Sequence, residues 1–267
     1  SGMADGDVKN VDAKEETPSV EFKNVSLTYS GSGAPSVEGI NFKAMKGQTI
    51  GVIGGTGSGK SSLVNLIPRL YDTTQGEVLV DGVNVKDYDI ETLRNKVGIV
   101  MQKAVLFKGT IRENMWMGKK SATDEQIDEA LEISQSKEFV DSKQGRLDYV
   151  IEQGGKNLSG GQRQRLTIAR AIVRKPDVLI LDDSASALDF ATDAALRKAI
   201  RGMNNSPTVF IVSQRAASLM YADLIIVLDD GQVAGMGTHD ELLANCEVYK
   251  EIYESQFKKA DSEGGVA

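Results

Sequence analysis

Several residue types that carry common protein chemistry are scarce in this chain of 267 residues. The single cysteine, Cys246, excludes a disulfide framework, which fits a reducing cytosol. The single histidine, His239, lies near the start of a predicted helix, and we expect it to be structural. No apolar run approaches the ~20 residues that a helix needs to cross a bilayer, so we expect the chain by itself to be soluble.

Dense basic patches are also missing. The net charge is −7, from 38 acidic and 31 basic residues, so we do not expect a nucleic-acid partner. Hydrophobic residues make up 40% of the chain and charged residues 26%, a balance that supplies one sizeable core.

The plainest motif is a phosphate loop at residues 54–61. Its sequence, Gly-Gly-Thr-Gly-Ser-Gly-Lys-Ser, fits G-x-x-x-x-G-K-[ST], and it stands between an apolar run at residues 49–53 and a predicted helix at residues 60–69. Glycines let backbone N–H groups converge on an anion, Lys60 can reach the outer phosphates, and Ser61 offers a hydroxyl to Mg²⁺. The pattern predicts a nucleotide site.

Two further segments carry chemistry. Residues 178–181 form an apolar run typical of a covered parallel strand, and Asp182 at its carboxyl end is placed to hold Mg²⁺. Leu158-Ser159-Gly160-Gly161-Gln162 begins a predicted helix that ends at about Val173. Ser159 can cap this helix, and the glycine pair lets N–H groups approach an anion.

These segments, in this order, resemble the nucleotide-binding domain of an ABC transporter of the exporter type, over about residues 20–257. Residues 54–61 match the Walker A motif, residues 158–162 the signature, and the strand ending at Asp182 the Walker B motif. Gln102 matches the Q-loop glutamine, which touches Mg²⁺ and relays to the membrane domain. Residues 186–189 match the D-loop, and residues 152–157 resemble a segment of exporters that senses contacts across the membrane.

The resemblance implies a site for ATP and Mg²⁺. Tyr29 falls where the family places an aromatic ring against adenine, although a core or edge role is the ordinary reading of such a tyrosine. The residues expected to bind the nucleotide are Tyr29, Gly55, Thr56, Gly57, Ser58, Gly59, Lys60, Ser61 and Ser62. The expected Mg²⁺ ligands are Ser61, Gln102 and Asp182, and the expected catalytic residues are Asp183, Gln214 and Gln102.

In the family, the signature faces the γ-phosphate held by the Walker A motif of a second subunit, so two domains sandwich two nucleotides. The resemblance therefore implies that Ser159, Gly161 and Gln162 contact the ATP of a partner domain. A transmembrane domain of the same natural polypeptide is the other implied partner, which places the domain at the cytoplasmic face of the cell membrane.

Two positions depart from the family pattern. Asp183 stands where the family has a glutamate that polarises the attacking water, and its carboxylate is one methylene shorter. A misplacement of about 1 Å can cost around a hundredfold in rate. Gln214 stands where the family has a histidine that contacts the γ-phosphate, and an amide can donate a hydrogen bond but cannot carry positive charge.

Both departures weaken the site built on this chain's own Walker motifs, while the signature is intact. This asymmetry resembles the degenerate-site subunit of heterodimeric exporters, which binds MgATP and hydrolyses it slowly. A fully active homodimeric exporter ATPase is the alternative, and a non-transport ATP switch of the same family is another. A chromosome-maintenance ATPase is disfavoured because fewer than a hundred residues separate Lys60 from Ser159, which leaves no room for a long coiled coil.

The fold class predicted is α/β: a P-loop ABC ATPase fold with a mainly parallel central sheet, a small antiparallel β subdomain and a helical signature subdomain at about residues 110–173. Residues 1–17 are expected to be a cleavage scar and a linker from a missing transmembrane domain. The ABC domain is expected at residues 18–257, and residues 258–267 are expected to form a flexible tail.

Overall fold

The computed structural model describes residues 16–184 and 186–263. The expected cleavage scar and nearly all of the expected linker lie outside these residues. The strands are β1 Val20–Leu27, β2 Val37–Ala44, β3 Thr49–Ile53, β4 Gln75–Val80, β5 Val83–Asn84, β6 Val97–Val100, β7 Gly109–Thr110, β8 Val150–Ile151, β9 Val178–Asp182, β10 Thr208–Ser213, β11 Leu224–Asp229 and β12 Gln232–Gly237. The helices are α1 Lys60–Asn65, α2 Ile90–Lys96, α3 Ile111–Trp116, α4 Asp124–Ile133, α5 Lys137–Asp141, α6 Gly160–Ile172, α7 Phe190–Arg201, α8 His239–Asn245 and α9 Glu247–Glu263.

The central sheet has the strand order β12-β11-β3-β10-β9-β6. Its neighbours pair in parallel from β11 to β6, and β12 joins antiparallel at one edge. All five residues of β9 are buried, which is expected because helices cover both faces of a parallel sheet. The prediction of a mainly parallel central sheet is confirmed.

A second sheet is antiparallel, with the order β2-β1-β4-β5. In β2 the buried positions Ile40, Phe42 and Ala44 alternate with exposed ones, as in a strand with one face toward a core. Phe22 of β1 stacks on Phe42 with ring centroids 4.5 Å apart. This sheet is the predicted antiparallel subdomain, and its core continues into that of α1.

Four helices, α3 to α6, occupy the segment predicted to be helical, together with the small β7–β8 pair. The N-termini of α3, α4 and α6 carry capping boxes, led by Thr110, Thr123 and Ser159 respectively. In each box, the hydroxyl of the cap residue accepts a hydrogen bond from the backbone N–H three residues later. The Glu or Gln side chain of that later residue accepts from the backbone N–H of the cap residue, so two otherwise unpaired donors are satisfied.

One predicted helix boundary is wrong. Helix α1 ends at Asn65 rather than at Arg69, because Pro68 has no N–H to donate and disfavours a helical residue before it. Arg69 itself has φ of 55°. Near the carboxyl terminus, α9 continues past Lys258 as far as Glu263, since no proline or glycine interrupts it before Gly264.

Candidate active site

The phosphate loop connects β3 to α1, at the carboxyl edge of the parallel sheet. Two turns in it need glycine: Gly57 has φ of 77° and Gly59 φ of 100°, both in the left-handed region. A Cβ at Gly59 would also lie 2.5 Å from Ser36 O. The ammonium of Lys60 donates to Gly54 O at 2.7 Å and to Gly55 O at 2.8 Å, so the loop wraps around this cation.

The loop fits a phosphate group. The buried hydroxyl of Ser58 has no hydrogen-bond partner within the described chain, so it is available to a ligand. Open space lies above Gly55 and Gly57, where an added Cβ would meet nothing within 4 Å. Burial lowers the pKa of Lys60, and the nearby carboxylates of Asp182 and Asp183 oppose this shift. The residues present therefore suit a bound phosphate.

Two of the three expected Mg²⁺ ligands, Ser61 and Asp182, lie in contact with each other. Ser61 Oγ donates to Asp182 Oδ2 at 2.8 Å, which brings the hydroxyl and the carboxylate together from α1 and β9. Mg²⁺ prefers oxygen ligands and keeps several waters, so two protein oxygens suffice beside a nucleotide. When bound, the ion would neutralise charge on the phosphates. Burial raises the pKa of Asp182, against the lowering effects of Ser61 and Lys60.

Asp183 and Gln102 lie in contact. Gln102 Nε2 donates to Asp183 Oδ2 at 3.1 Å, although 81 residues separate them. The Asp183 backbone has φ of 48°, and its N–H donates to Val212 O at 2.8 Å. Burial raises the pKa of Asp183, whereas the charge of Arg215 lowers it. Arg215 was not among the expected site residues, and its only sequence signal is its position directly after Gln214.

Gln214 lies beside the phosphate loop, where its Nε2 is 3.5 Å from Thr56 Oγ1. Its backbone O accepts from Gln256 Nε2 of α9 at 2.6 Å, which ties the strand end to the last helix. The single histidine is elsewhere: His239 is buried, with Nδ1 2.6 Å from Tyr249 Oη. It packs within the fold, as expected of a structural residue.

Tyr29 follows β1 and contacts the residue after the loop. Its hydroxyl is 2.8 Å from Ser62 Oγ, which also accepts from Ser36 Oγ at 2.8 Å. Tyr71 meets the Tyr29 ring edge to face, with centroids 4.9 Å apart, and is 46% exposed. Sequence reasoning missed Tyr71, since a lone tyrosine after a helix carries no distinctive pattern.

The signature residues form a separate surface. Ser159 Oγ accepts from the Gln162 N–H at 3.1 Å, and Gln162 Oε1 accepts from the Ser159 N–H at 3.1 Å. Ser159 is exposed and Gly161 partly so. In the part of the chain that the structure describes, no hydrogen bond joins these three residues to residues 54–62. The signature residues and the phosphate loop are therefore two separate groups within one copy.

A family model for the ABC transporter matches residues 37–186, more than half of the chain. The chain belongs to the ABC transporter family. It has the α/β P-loop ABC ATPase fold, and residues 54–61 and 158–162 both lie within the matched region. Along the described residues, no helix is long and apolar enough to cross a membrane.

Individual ABC proteins are similar over most of this chain. An ABC transporter ATP-binding protein of Bacillus subtilis, YfiB, is 43% identical over 244 residues, which cover 91% of the chain and 42% of that protein. A putative multidrug export ATP-binding/permease protein of Staphylococcus aureus is 38% identical over 237 residues, which cover 89% of the chain and 41% of that protein. The solved structure of a bacterial Atm1-family ABC exporter with ATP bound matches with a TM-score of 0.84 and 32% sequence identity. The match covers 90% of this chain and 42% of the exporter chain. The chain thus spans less than half the length of each of these three proteins.

Proposed function

We propose that the chain is the ATP-binding and ATP-hydrolysing domain of an exporter subunit and acts as a dimer around MgATP at the cytoplasmic face of a membrane. Support comes from the similar proteins, one named for multidrug export and one an Atm1-family exporter. Both are more than twice as long as the matched region, which leaves room for a transmembrane domain in the same polypeptide.

The geometry of the site supports binding of the phosphate groups and the base of a nucleotide. Lys60 and the loop N–H groups would hold the outer phosphates, with Ser58 Oγ as a further donor. Ser61 and Asp182 would hold Mg²⁺, and Tyr29 would stack on the base. Because these groups come from the ends of β3, β9 and β1, the sheets fix their spacing before the ligand arrives.

The chemical step is hydrolysis of the terminal phosphoanhydride, in which water attacks the γ-phosphorus and ADP leaves. A base must orient that water, and a donor must stabilise the charge on the phosphoryl oxygens. Asp183 is the available base and Gln214 the available donor. In this chain Asp183 is engaged by Gln102, and Gln214 contributes only an uncharged amide.

The Gln102–Asp183 hydrogen bond is the observation that carries a degenerate-site assignment. An aspartate reaches one methylene less far than a glutamate, and Gln102 holds one of its two oxygens at 3.1 Å. The proposed outcome is tight binding of MgATP with slow turnover at this site. Ser159, Gly161 and Gln162 would complete the active site of a partner subunit that carries glutamate and histidine at the positions of Asp183 and Gln214.

A second candidate is a fully active homodimer. The observation that favours it is that Asp183 still presents a carboxylate next to Asp182 and within the field of Lys60. A bridging water could span the missing methylene, because water-mediated hydrogen bonds are nearly as good as direct ones. In that case the two identical sites would turn over equally.

The deciding experiment compares steady-state ATPase activity of the wild-type chain with Asp183→Glu/Gln214→His, at high protein concentration, with ATP binding measured in both. If the site is degenerate, we expect the two proteins to bind ATP equally well and the double variant to hydrolyse it at least about tenfold faster. The matched control, Asp87→Glu/Gln126→His, makes the same chemical changes away from the loop and should change neither quantity. Equal and robust turnover in wild type and double variant would instead establish the active homodimer.

A further inference from the structure

A large cavity lies between α7 and the central sheet. Its volume is about 730 Å³, within the ~300–1,000 Å³ of pockets that take small organic molecules. Among the described residues, none from 54 to 62 lines it. This second concave site is therefore separate from the phosphate loop.

The cavity exists because α7 covers the sheet incompletely. Over its 12 residues α7 buries only Leu196 and Ile200, whereas the 13-residue α6 buries seven side chains. Phe190, the first residue of α7, is 76% exposed, and Ala194 one turn later is exposed too. The α7 face at positions 190, 194, 197 and 201 forms one wall of the cavity.

The floor is apolar. Leu181, Val209 and Ile211 project from β9 and β10 and are 5%, 6% and 8% exposed. Their neighbours on the opposite face, Ile180 and Phe210, are fully buried at 0%. All five side chains are buried in the core, and Leu181, Val209 and Ile211 are those that line the cavity, so they offer an apolar surface to a ligand body.

The rim is cationic. Lys46, Arg197, Lys198 and Arg201 line the cavity with one carboxylate, Asp223, although the whole chain has a net charge of −7. Two of these cations are engaged: Arg197 pairs with Asp193 and donates to Ser218 O at 2.7 Å, and Arg201 lies 3.8 Å from Asp223. The rim thus concentrates positive charge around an apolar hollow.

Lys46 and Lys198 are the cations left over. Both are exposed, and neither forms an ion pair with any residue that the structure describes. One comes from the turn before β3 and the other from α7, so they belong to separate walls of the cavity. An anionic group at the mouth would be attracted by the positive charge on both walls.

We infer that this cavity binds a small amphipathic anion: an apolar chain or ring system that bears one carboxylate or sulfonate. The apolar part lies on Leu181, Val209 and Ile211, and the anionic group lies at the mouth near Lys46 and Lys198. An apolar body supplies most of the buried area, and the cations select against neutral compounds of the same shape.

The test titrates the chain with 8-anilinonaphthalene-1-sulfonate and follows dye fluorescence. We expect saturable binding that decanoate reverses at concentrations at least about fivefold lower than decanol, since only decanoate carries the charge. Lys46→Glu/Lys198→Glu should weaken dye binding at least about fivefold, whereas Lys250→Glu, an exposed lysine on α9, should leave it unchanged. Ala194→Trp should fill the cavity and abolish binding.

Three results would overturn the inference. Unchanged dye binding in Ala194→Trp would place the dye elsewhere, and equal displacement by decanol and decanoate would remove the need for an anion. Displacement by MgATP would put the dye in the phosphate-loop site. If Ala194→Trp does not fold, as judged by circular dichroism, the lysine variant decides: full dye affinity there would reject the inference.

Discussion

Tyr29 has two separable roles at the level of a single side chain. Its hydroxyl is bonded to Ser62 Oγ at 2.8 Å, and its ring is the proposed platform for the nucleotide base. Ser62 follows Ser61 in α1, so the hydroxyl ties the loop after β1 to the helix that follows the phosphate loop. Substitutions can remove one role and keep the other.

Tyr29→Phe keeps the ring and loses the hydroxyl, so we expect MgATP affinity within about threefold of wild type. Tyr29→Ala also loses base stacking, worth ~1–3 kcal/mol, and should weaken binding by about 5- to 150-fold. Isothermal titration calorimetry measures both. Tyr88→Phe is a control, because it removes a hydroxyl bonded to Val80 O away from the site. Equal losses in Tyr29→Phe and Tyr29→Ala would mean that the ring does not stack.

At the scale of elements, two helices begin with the same device and differ in the role proposed for them. Ser159 caps α6 and Thr123 caps α4, each with a reciprocal glutamine. Replacing either by alanine should cost ~1 kcal/mol of stability, seen as a fall of ~2–4 °C in Tm. Only Ser159 belongs to the signature, so a comparison of the two alanine variants distinguishes a loss of stability from a loss of ATPase activity.

We expect Ser159→Ala, made in the Asp183→Glu/Gln214→His background, to lower ATPase kcat/KM by at least about tenfold. Thr123→Ala in the same background should lose the same stability and retain activity within about twofold. Thermal melts and steady-state ATPase assays on both variants provide the comparison. Matching activity losses would mean that Ser159 acts only through the fold of α6.

Helices α8 and α9 are joined by the buried hydrogen bond between His239 Nδ1 and Tyr249 Oη, 2.6 Å long. Tyr249→Phe leaves the histidine nitrogen without this partner and should cost ~1–3 kcal/mol at pH 7. Burial raises the pKa of Tyr249 to about 12, so the unfolded tyrosine ionises first. The contribution of Tyr249 to the free energy of unfolding is therefore fully present below pH ~10. It is lost as the pH rises toward the pKa of Tyr249 in the folded state.

Urea titrations across this range should accordingly show a stability gap between wild type and Tyr249→Phe that narrows above pH ~10. Tyr88→Phe would serve poorly here, since burial also raises the pKa of Tyr88. A gap that stays constant up to pH 12 would rule out ionisation of Tyr249 as its cause.

Local patterns predicted the elements and loops that depend on neighbouring residues. The apolar run of β9, the glycine spacing before Lys60 and the cap at Ser159 each act within a few residues, and each lies as expected. Contacts made by tertiary packing were not predictable in this way. The Gln102–Asp183 bond spans 81 residues, and the cavity under α7 depends on how a helix rests on three strands.

At the scale of the whole molecule, the two segments proposed to contact nucleotide are not joined within one copy: among the described residues, no hydrogen bond connects Ser159, Gly161 or Gln162 to residues 54–62. The phosphate loop lies at the carboxyl end of β3, an interior strand of the central sheet, and Ser159 of the signature caps α6 and is exposed. Two copies arranged head to tail would place each signature over the other's nucleotide. Each chain carries a net charge of −7, so long-range repulsion between two copies opposes their association.

The proposed slow hydrolysis predicts a long-lived dimer. With MgATP, the wild-type chain should sediment as a dimer that persists for many times longer than that of Asp183→Glu/Gln214→His, because the double variant consumes the nucleotide that holds the two copies together. Analytical ultracentrifugation at fixed times after addition of MgATP measures the decay.

Ser159→Arg, which places a bulky side chain on the signature surface, should prevent dimer formation while leaving ATP binding to Lys60 and its loop intact. Dimers of equal lifetime in the two proteins would show that Asp183 and Gln214 do not slow hydrolysis, and a monomeric wild type that binds MgATP would show that two copies of this chain do not form the composite site.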